Sequence, residues 1–326
     1  MGKYANLIAA VNAGCNVPKF GLLDDGFTDS SKNGDQFVNY YKEFNNKHFD
    51  SSVKSVSVRS SSNISTPGLM RTILRVPNTS KNVYNAIKTV RNSFKNPMLL
   101  KYLEMIGCTD FQPEIIIQEM IGYEDAEQNF YAGVVSTHDV ITHEEKINGY
   151  YIEGFTGDLI MSGHVQGSQI EKLKEESYRA YNNLIGHLVK TKSPYEMEFV
   201  IKDNLVYVLQ IRLLKLLKEN QIVKDISDMT LIGEGMSSSP MSLIGNITTN
   251  ISNCHGKILL LNRDTTDEDV EILTAKAIIT TDGNQLCHLA TLCRSVKIPC
   301  ILSYNGLIEL QDGEKILINR DGKIYK

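Results

Sequence analysis

Two runs, Glu196–Ile201 ("EMEFVI") and Leu205–Arg212 ("LVYVLQIR"), with only Lys202, Asp203 and Asn204 between them, constrain this chain more than any other feature. Side chains alternate across a strand, so Glu196 and Glu198 project together, as do Gln210 and Arg212. The loop decides whether the two pairs share a face. A three-residue loop sets 198 opposite 208 and 196 opposite 210, gathers the four polar side chains on one side, and suits Asn204 in the left-handed conformation. Phe199, Ile201, Leu205, Tyr207 and Leu209 then form the other face. A two-residue loop splits the pairs. Glutamates beside an arginine on one face can hold Mg2+ and phosphate; on spacing alone, the plainer reading is a solvated sheet face.

The rest of the 326 residues sorts into short strand-like runs and a few helices. "VKSVSVRS" alternates and reads as a strand offering Val53, Val56 and Val58 for packing; a Ser/Asn/Pro/Gly-rich loop follows. "KNVYNAIKTVRNSF" has helical spacing through Val83, Ile87, Val90 and Phe94. Residues 113–121 and 129–137 read as buried strands around the turn-rich "GYEDAEQ", and residues 169–190 as one long amphipathic helix. Residues 213–230 lose strand character and mark a boundary. Beyond them come short strands and one good helix beginning near His288.

Composition narrows the partners. The chain is 42% hydrophobic and 22% charged, with a net charge of −4 and no basic block, so nucleic acid is not expected. The N-terminal stretch has neither the pattern of a secretory signal nor a run of about 18 apolar residues, and a cytoplasmic protein without a membrane partner is expected. The six cysteines include no C-x-x-C pair, which argues against a zinc ribbon or a redox dithiol.

Two further positions carry chemistry. Arg59 ends a strand ahead of a Ser-rich loop in which Gly68 lets backbone N–H groups approach a phosphate, although a surface arginine fits the spacing as well. His288 follows a strand and a Gly283 loop and opens a helix striped by Leu289, Leu292, Cys293 and Val296. The positive end of the dipole there disfavours protonation, keeps the imidazole nucleophilic near neutral pH, and would stabilise a phosphoryl group on the ring. An incidental surface histidine is the alternative.

Several stretches together resemble one family, the phosphohistidine phosphotransferases of the phosphoenolpyruvate synthase and pyruvate phosphate dikinase type, which includes rifampin phosphotransferase. "GKYANLIAAVNAGCNVPKFGLL", "VSVRSSSN", "TPGLMRTILRV", "IIIQEMI", "YAGVVST", "EMEFVIKDNLVYVLQIR" and "TTDGNQLCHLATLCRSVKIPCIL" follow the family's order. The resemblance implies an α/β (α+β) fold. It has a two-lobed ATP-grasp domain (1–110 and 111–216), a linker (217–230) and a small swivelling phosphohistidine domain (231–326). It implies ATP and Mg2+ as cofactors. Lys3, Arg59, Gln210 and Arg212 then face the ATP phosphates, Gly68 and Thr72 belong to the lid over them, Gln118 and Glu119 lie at the adenine strand, and Glu196 and Glu198 hold the metal. His288 falls on the phosphorylated histidine, which would pass phosphate to a small-molecule acceptor. Two other readings stay open: a phosphocarrier serving a separate acceptor-domain protein, and a degenerate nucleotide-binding regulatory member. The sequence departs from the family at Asn284, Leu286 and Leu289, and at Arg71, where the lid has an acidic residue. Residues 21–56 are short for a first lobe, and no counterpart of the family's C-terminal pyruvate-binding barrel follows the histidine domain.

Overall fold

The computed structural model describes residues 2–24, 34–122, 130–188, 194–218, 226–262, 266 and 268–326. Three β layers organise it. The first is an antiparallel sheet of β1 (Phe20–Leu22), β4 (Pro113–Glu119), β2 (Ser55–Ser62) and β3 (Thr72–Pro77), in that order. Helices α2 (Gly34–His48) and α3 (Ser80–Asn92) cover one face, where Val56, Val58, Ile115 and Ile117 meet Phe37, Tyr41, Val83, Ile87 and Val90. Thr79 caps α3 by accepting from the Asn82 N–H. Every residue of β2 is buried, its serines included, so the alternation seen in the sequence does not separate a wet face from a dry one.

The second sheet runs β7 (Ser168–Gln169), β6 (Asn148–Glu153), β5 (Phe130–Ser136), β8 (Tyr195–Lys202), β9 (Leu205–Leu213). Helix α1 (Lys3–Asn12) packs against β9, where Asn6 Nδ2 donates to the Ile211 carbonyl at 2.9 Å, and the short α5 (Asp158–Ser162) packs against β5 and β6. The region expected as one helix over 169–190 is broken. Ser168 and Gln169 pair with β6, a 3-10 turn follows at Ile170–Lys172, and α6 (Leu173–Glu176) and α7 (Tyr178–Leu188) are separated by Ser177 at φ −150°. Burying both Ile170 and Leu173 in the core sets this path; residues 189–193 lie outside the described residues.

The hairpin departs from the expected register in an instructive way. The loop has two residues, Asp203 and Asn204, both at positive φ (51° and 60°), the geometry that matches strand twist. Such a loop alone would split the polar pairs. A β-bulge restores them: Phe199 faces Val208, yet Glu198 faces Gln210 and Glu196 faces Arg212, with Leu209 as the extra residue. The apolar face accordingly consists of Tyr195, Met197, Phe199 and Ile201 with Val206, Val208 and Ile211, in place of Leu205, Tyr207 and Leu209.

The third layer is a closed barrel, in the order β10 (Leu231–Ser237), β14 (Cys300–Gly306), β13 (Ala277–Thr280), β12 (Ile258–Leu261), β11 (Leu243–Thr248), β15 (Lys315–Ile318), β16 (Lys323–Tyr325). Helix α8 (His288–Val296) connects β13 to the parallel strand β14. The barrel is docked on both lobes. Met98, Leu99, Tyr102 and Leu103 of α4 (Pro97–Met105) share one apolar cluster with Leu259, Leu273, Ala290 and Cys293. Leu217, in the segment expected as a linker, is buried; residues 219–225 lie outside the described residues. All six cysteines are free thiols.

Deleting Leu209 closes the ladder with Gln210 still opposite Glu198 and Arg212 still opposite Glu196, and removes the bulged carbonyl that accepts from Arg59. A buried donor left unsatisfied costs about 1–3 kcal/mol, so denaturant unfolding is expected to show a loss of stability of that order. Leu209→Ala, which keeps the bulge and its carbonyl, is expected to keep the Arg59 contact.

Candidate active site

The bulge brings the polar ends of the hairpin against β2, at the wall of a cavity of about 680 Å³. Arg59, 8% exposed, is the meeting point. Its Nη1 donates to Gln118 Oε1 (2.7 Å) and to the Leu209 carbonyl (2.9 Å); its Nη2 donates to Glu198 Oε2 (3.1 Å) and Gln210 Oε1 (3.2 Å). The carbonyl of the bulged residue is thus one of its partners. Thr72 pairs with Arg59 across β2 and β3. Lys3, Arg59, Gly68, Thr72, Gln118, Glu119, Glu198, Gln210, Arg212 and His288 all line the one cavity.

Its electrostatics are positive. Burial works to raise the Glu198 carboxyl, but Arg59, Arg212, Lys3 and His288 outweigh it and hold the group below the usual carboxylate range. Lys3 is brought down to about 7, by burial first and then by the Arg59 charge. Three cationic side chains therefore surround one carboxylate that faces the cavity, an excess that suits a polyanion. Arg59 Nε and Gln118 Nε2 are buried donors with no protein partner, a deficit of acceptors at the same place.

Glu196 takes a different position from the one expected of a metal ligand beside Glu198. It is 2% exposed, does not line the cavity, and is held by Arg212 through both Nε and Nη2, with Arg294 Nη2 at 3.8 Å from its other oxygen. Among the described residues no cluster of three or more His, Cys, Asp or Glu side chains is placed to hold a metal. The oxygens available on the cavity side are those of Glu198 and Gln210, hard donors of the kind Mg2+ takes together with phosphate oxygens. Gln118 also differs in detail: its amide oxygen is spent on Arg59, whereas Glu119 accepts from the Lys19 N–H at 3.2 Å.

His288 opens α8, as the sequence implies, and its imidazole stands against the Gly68 loop. Gly68 has φ +68°, and a Cβ on it would lie 2.7 Å from His288 Cβ and 3.0 Å from Cγ. Only glycine admits the ring this close in that conformation. The pKa of His288 falls to about 4, mainly through burial and then through Arg212. The helix dipole invoked from sequence contributes about 0.3–1 kcal/mol, under one pH unit at about 1.36 kcal/mol per unit, so burial is the larger cause. The ring is neutral at physiological pH and its lone pair is available.

The loop before His288 is held by the other module. Asn284 Nδ2 donates to the Ile160 carbonyl (3.2 Å) while its Oδ1 accepts from the Leu286 N–H (2.9 Å). Leu286 is fully buried among Val134, Val140, Tyr150, Ile160 and Met161 of the second lobe. Two of the departures from the family resemblance are thus docking contacts. Sequence reasoning missed Thr291 and Arg294, which sit beneath the site, and Arg75, whose Nη2 reaches Thr156 Oγ1 at 3.3 Å from the far side of the cavity. The one signal for Arg294 is a charge set beside the apolar stripe of α8. Arg71, at the lid, is exposed.

Comparison with known proteins gives two family matches along the chain. Residues 32–183 match the pyruvate phosphate dikinase AMP/ATP-binding domain, and residues 254–322 match the mobile domain of PEP-utilising enzymes. The chain is 26% identical over 286 residues to pyruvate, phosphate dikinase of Rickettsia typhi, covering 73% of this chain and 32% of that protein. It is 28% identical over 143 residues to a probable phosphoenolpyruvate synthase of Methanothermobacter thermautotrophicus, covering 41% of this chain and 21% of that protein. The chain thus spans about a third or less of the relatives it matches. Among solved structures, D-alanine-D-alanine ligase from Helicobacter pylori aligns over 65% of this chain and 53% of its own, at 12% identity and a TM-score of 0.32. The fold is a two-lobed ATP-grasp α/β domain followed by the mobile domain. No helix among the described residues is long and apolar enough to cross a membrane.

The low pKa of Lys3 has a measurable sign. Above pH 7 the free amine is largely neutral, and a bound polyphosphate returns it toward its ordinary, charged state. ATP binding near about pH 8 is therefore expected to take up a proton and to weaken as pH rises. Calorimetric titration in two buffers of different ionisation heat reads the uptake, and Lys3→Met should remove it.

Proposed function

We propose, for a chain that belongs to the family of phosphoenolpyruvate synthase and pyruvate phosphate dikinase, that it takes a phosphoryl group from MgATP onto His288 and passes it to an acceptor. The observation that carries this reading is the docking of a neutral imidazole against the Gly68 loop, in the same cavity as Lys3, Arg59 and Arg212. A ring-nitrogen lone pair attacks phosphorus, the N–P bond forms as a P–O bond breaks, and the bonding electrons leave on the nucleotide oxygen. The three cations stabilise that developing charge, which is most of what a protein can contribute to phosphoryl transfer. Glu198 and Gln210 would hold Mg2+, which would neutralise phosphate charge; Glu196, held by Arg212, does not line the cavity.

Lys3, Arg59, Gln210 and Arg212 are assigned to the phosphates, Gly68 and Thr72 to the lid, and Gln118 and Glu119 to the strand at the base. Gln118 acts there by orienting Arg59. The name of the relatives, pyruvate phosphate dikinase, supports a small carboxylate of the pyruvate type as the acceptor.

Intact mass at neutral to mildly alkaline pH after incubation with MgATP tests the reading, acid being avoided because phosphohistidine is labile. Wild type is expected to gain one phosphoryl or pyrophosphoryl group. His288→Ala should gain none while keeping its nucleotide affinity, and Arg212→Ala should bind ATP more weakly. Label on His288→Ala, or none on wild type with ATP demonstrably bound, would overturn the assignment.

A further inference from the structure

Arg294 is the largest of the fully buried side chains, 1% exposed, and it lies on α8 six residues after His288. Its guanidinium reaches three different parts of the molecule. Nη1 donates to the Gln285 carbonyl at 2.5 Å, in the loop that leads into His288. Nη2 donates to Thr291 Oγ1 at 3.0 Å on its own helix and lies 3.8 Å from Glu196 Oε2, on β8 of the ATP-grasp domain. The other oxygen of Glu196 holds Arg212, and Arg212 Nη2 donates back across the boundary to Thr291 Oγ1 at 3.1 Å.

The four side chains close a ring. Glu196 lies between two arginines that would otherwise repel, and the Thr291 hydroxyl accepts from both. Two members come from the sheet that lines the nucleotide cavity and two from the helix that carries His288. Arg212 belongs at once to the ring and to the cavity wall, so the ring ties the histidine's helix to a cation that lines the same cavity.

We infer that Arg294 is a positioning residue for phosphoryl transfer, holding the His288 loop and helix in register with Arg212 through Glu196 and Thr291. The inference rests on the reading of His288 as the phosphoryl carrier. Arg294 does not line the cavity and touches no reacting atom, so its effect is on the rate of transfer to the ring and not on nucleotide affinity. The planar fork is what permits three simultaneous partners; a lysine keeps the charge and loses the geometry.

The test compares wild type with Arg294→Met, Arg294→Lys and Thr291→Val by the single-turnover rate of His288 phosphorylation from MgATP, beside the ATP dissociation constant and the thermal midpoint. Arg294→Met is expected to slow transfer on the order of 100-fold, the cost of a misplacement of about 1 Å. Its dissociation constant should stay within about twofold of wild type. Arg294→Lys should recover part of the rate and Thr291→Val should fall between. A second readout is the rate of diethyl pyrocarbonate modification at His288, followed by mass spectrometry, which needs no phosphoryl transfer. The rate is expected to rise in Arg294→Met, because the ring leaves its shelter against Gly68. If wild type is not phosphorylated, the functional reading fails, and the modification rates alone then decide the seating. Should Arg294→Met not fold, Thr291→Val carries both measurements. Lowered thermal midpoints with unchanged transfer and unchanged modification would reduce Arg294 to a structural role and overturn the inference.

Discussion

Arg59 joins two sheets that have no strand in common. It stands on β2 of the first sheet, and three of its four acceptors belong to the hairpin of the second: the Leu209 carbonyl, Glu198 and Gln210. A buried guanidinium is tolerable only when its charge and its donors are answered, and removing one member of such a pair costs about 3–5 kcal/mol. The architecture follows from answering it. The bulge at Leu209 turns a carbonyl and an amide toward the arginine, Gln118 supplies the acceptor from its own sheet, and Glu198 supplies the counter-charge.

The excess of positive charge left around Glu198 gives the cavity its character. Lys3 arrives from the first turn of α1 and Arg212 from the end of β9, so three remote points of the chain supply the cations. Burial first, and then these neighbouring charges, depress the lysine and the histidine together, so the imidazole is neutral, as the proposed phosphoryl acceptor would have to be. The half-buried position of His288 follows from contacts remote from its ring: Asn284 on the Ile160 carbonyl, Leu286 among second-lobe side chains, and α8 against α4.

How much of this is legible in the sequence depends on whether the signal is local. The strands of the hairpin, the helix beginning at His288, and α3 all show in hydrophobic period, because each buries one face of a regular element. The grouping of Glu198, Gln210 and Arg212 is also legible, but not its cause: alternation assumes uninterrupted pairing, and a single bulged residue reverses parity. The break at Ser177 escapes periodicity because Ile170 and Leu173 stay in phase with the later helix although they reach the core by another path. β10 and β11 escape because their glycine-interrupted sequences, "LIGEGMS" and "LIGNIT", gain their structure from barrel closure. Glu196 could be placed on the right face but not assigned its partner, since Arg294 lies 98 residues away and nothing local ties the two.

The junction between α4 and the barrel is apolar. Leu99, Tyr102 and Leu103 on one side and Leu259, Leu273, Ala290 and Cys293 on the other form a continuous apolar mass of the kind found inside a single domain. Separating the two would expose that surface to water and so carry a positive heat-capacity change. Hydrophobic attachment weakens on cooling. Any undocking of the barrel would therefore be favoured by cold, and a surface that received it would have to offer apolar area of its own to compete.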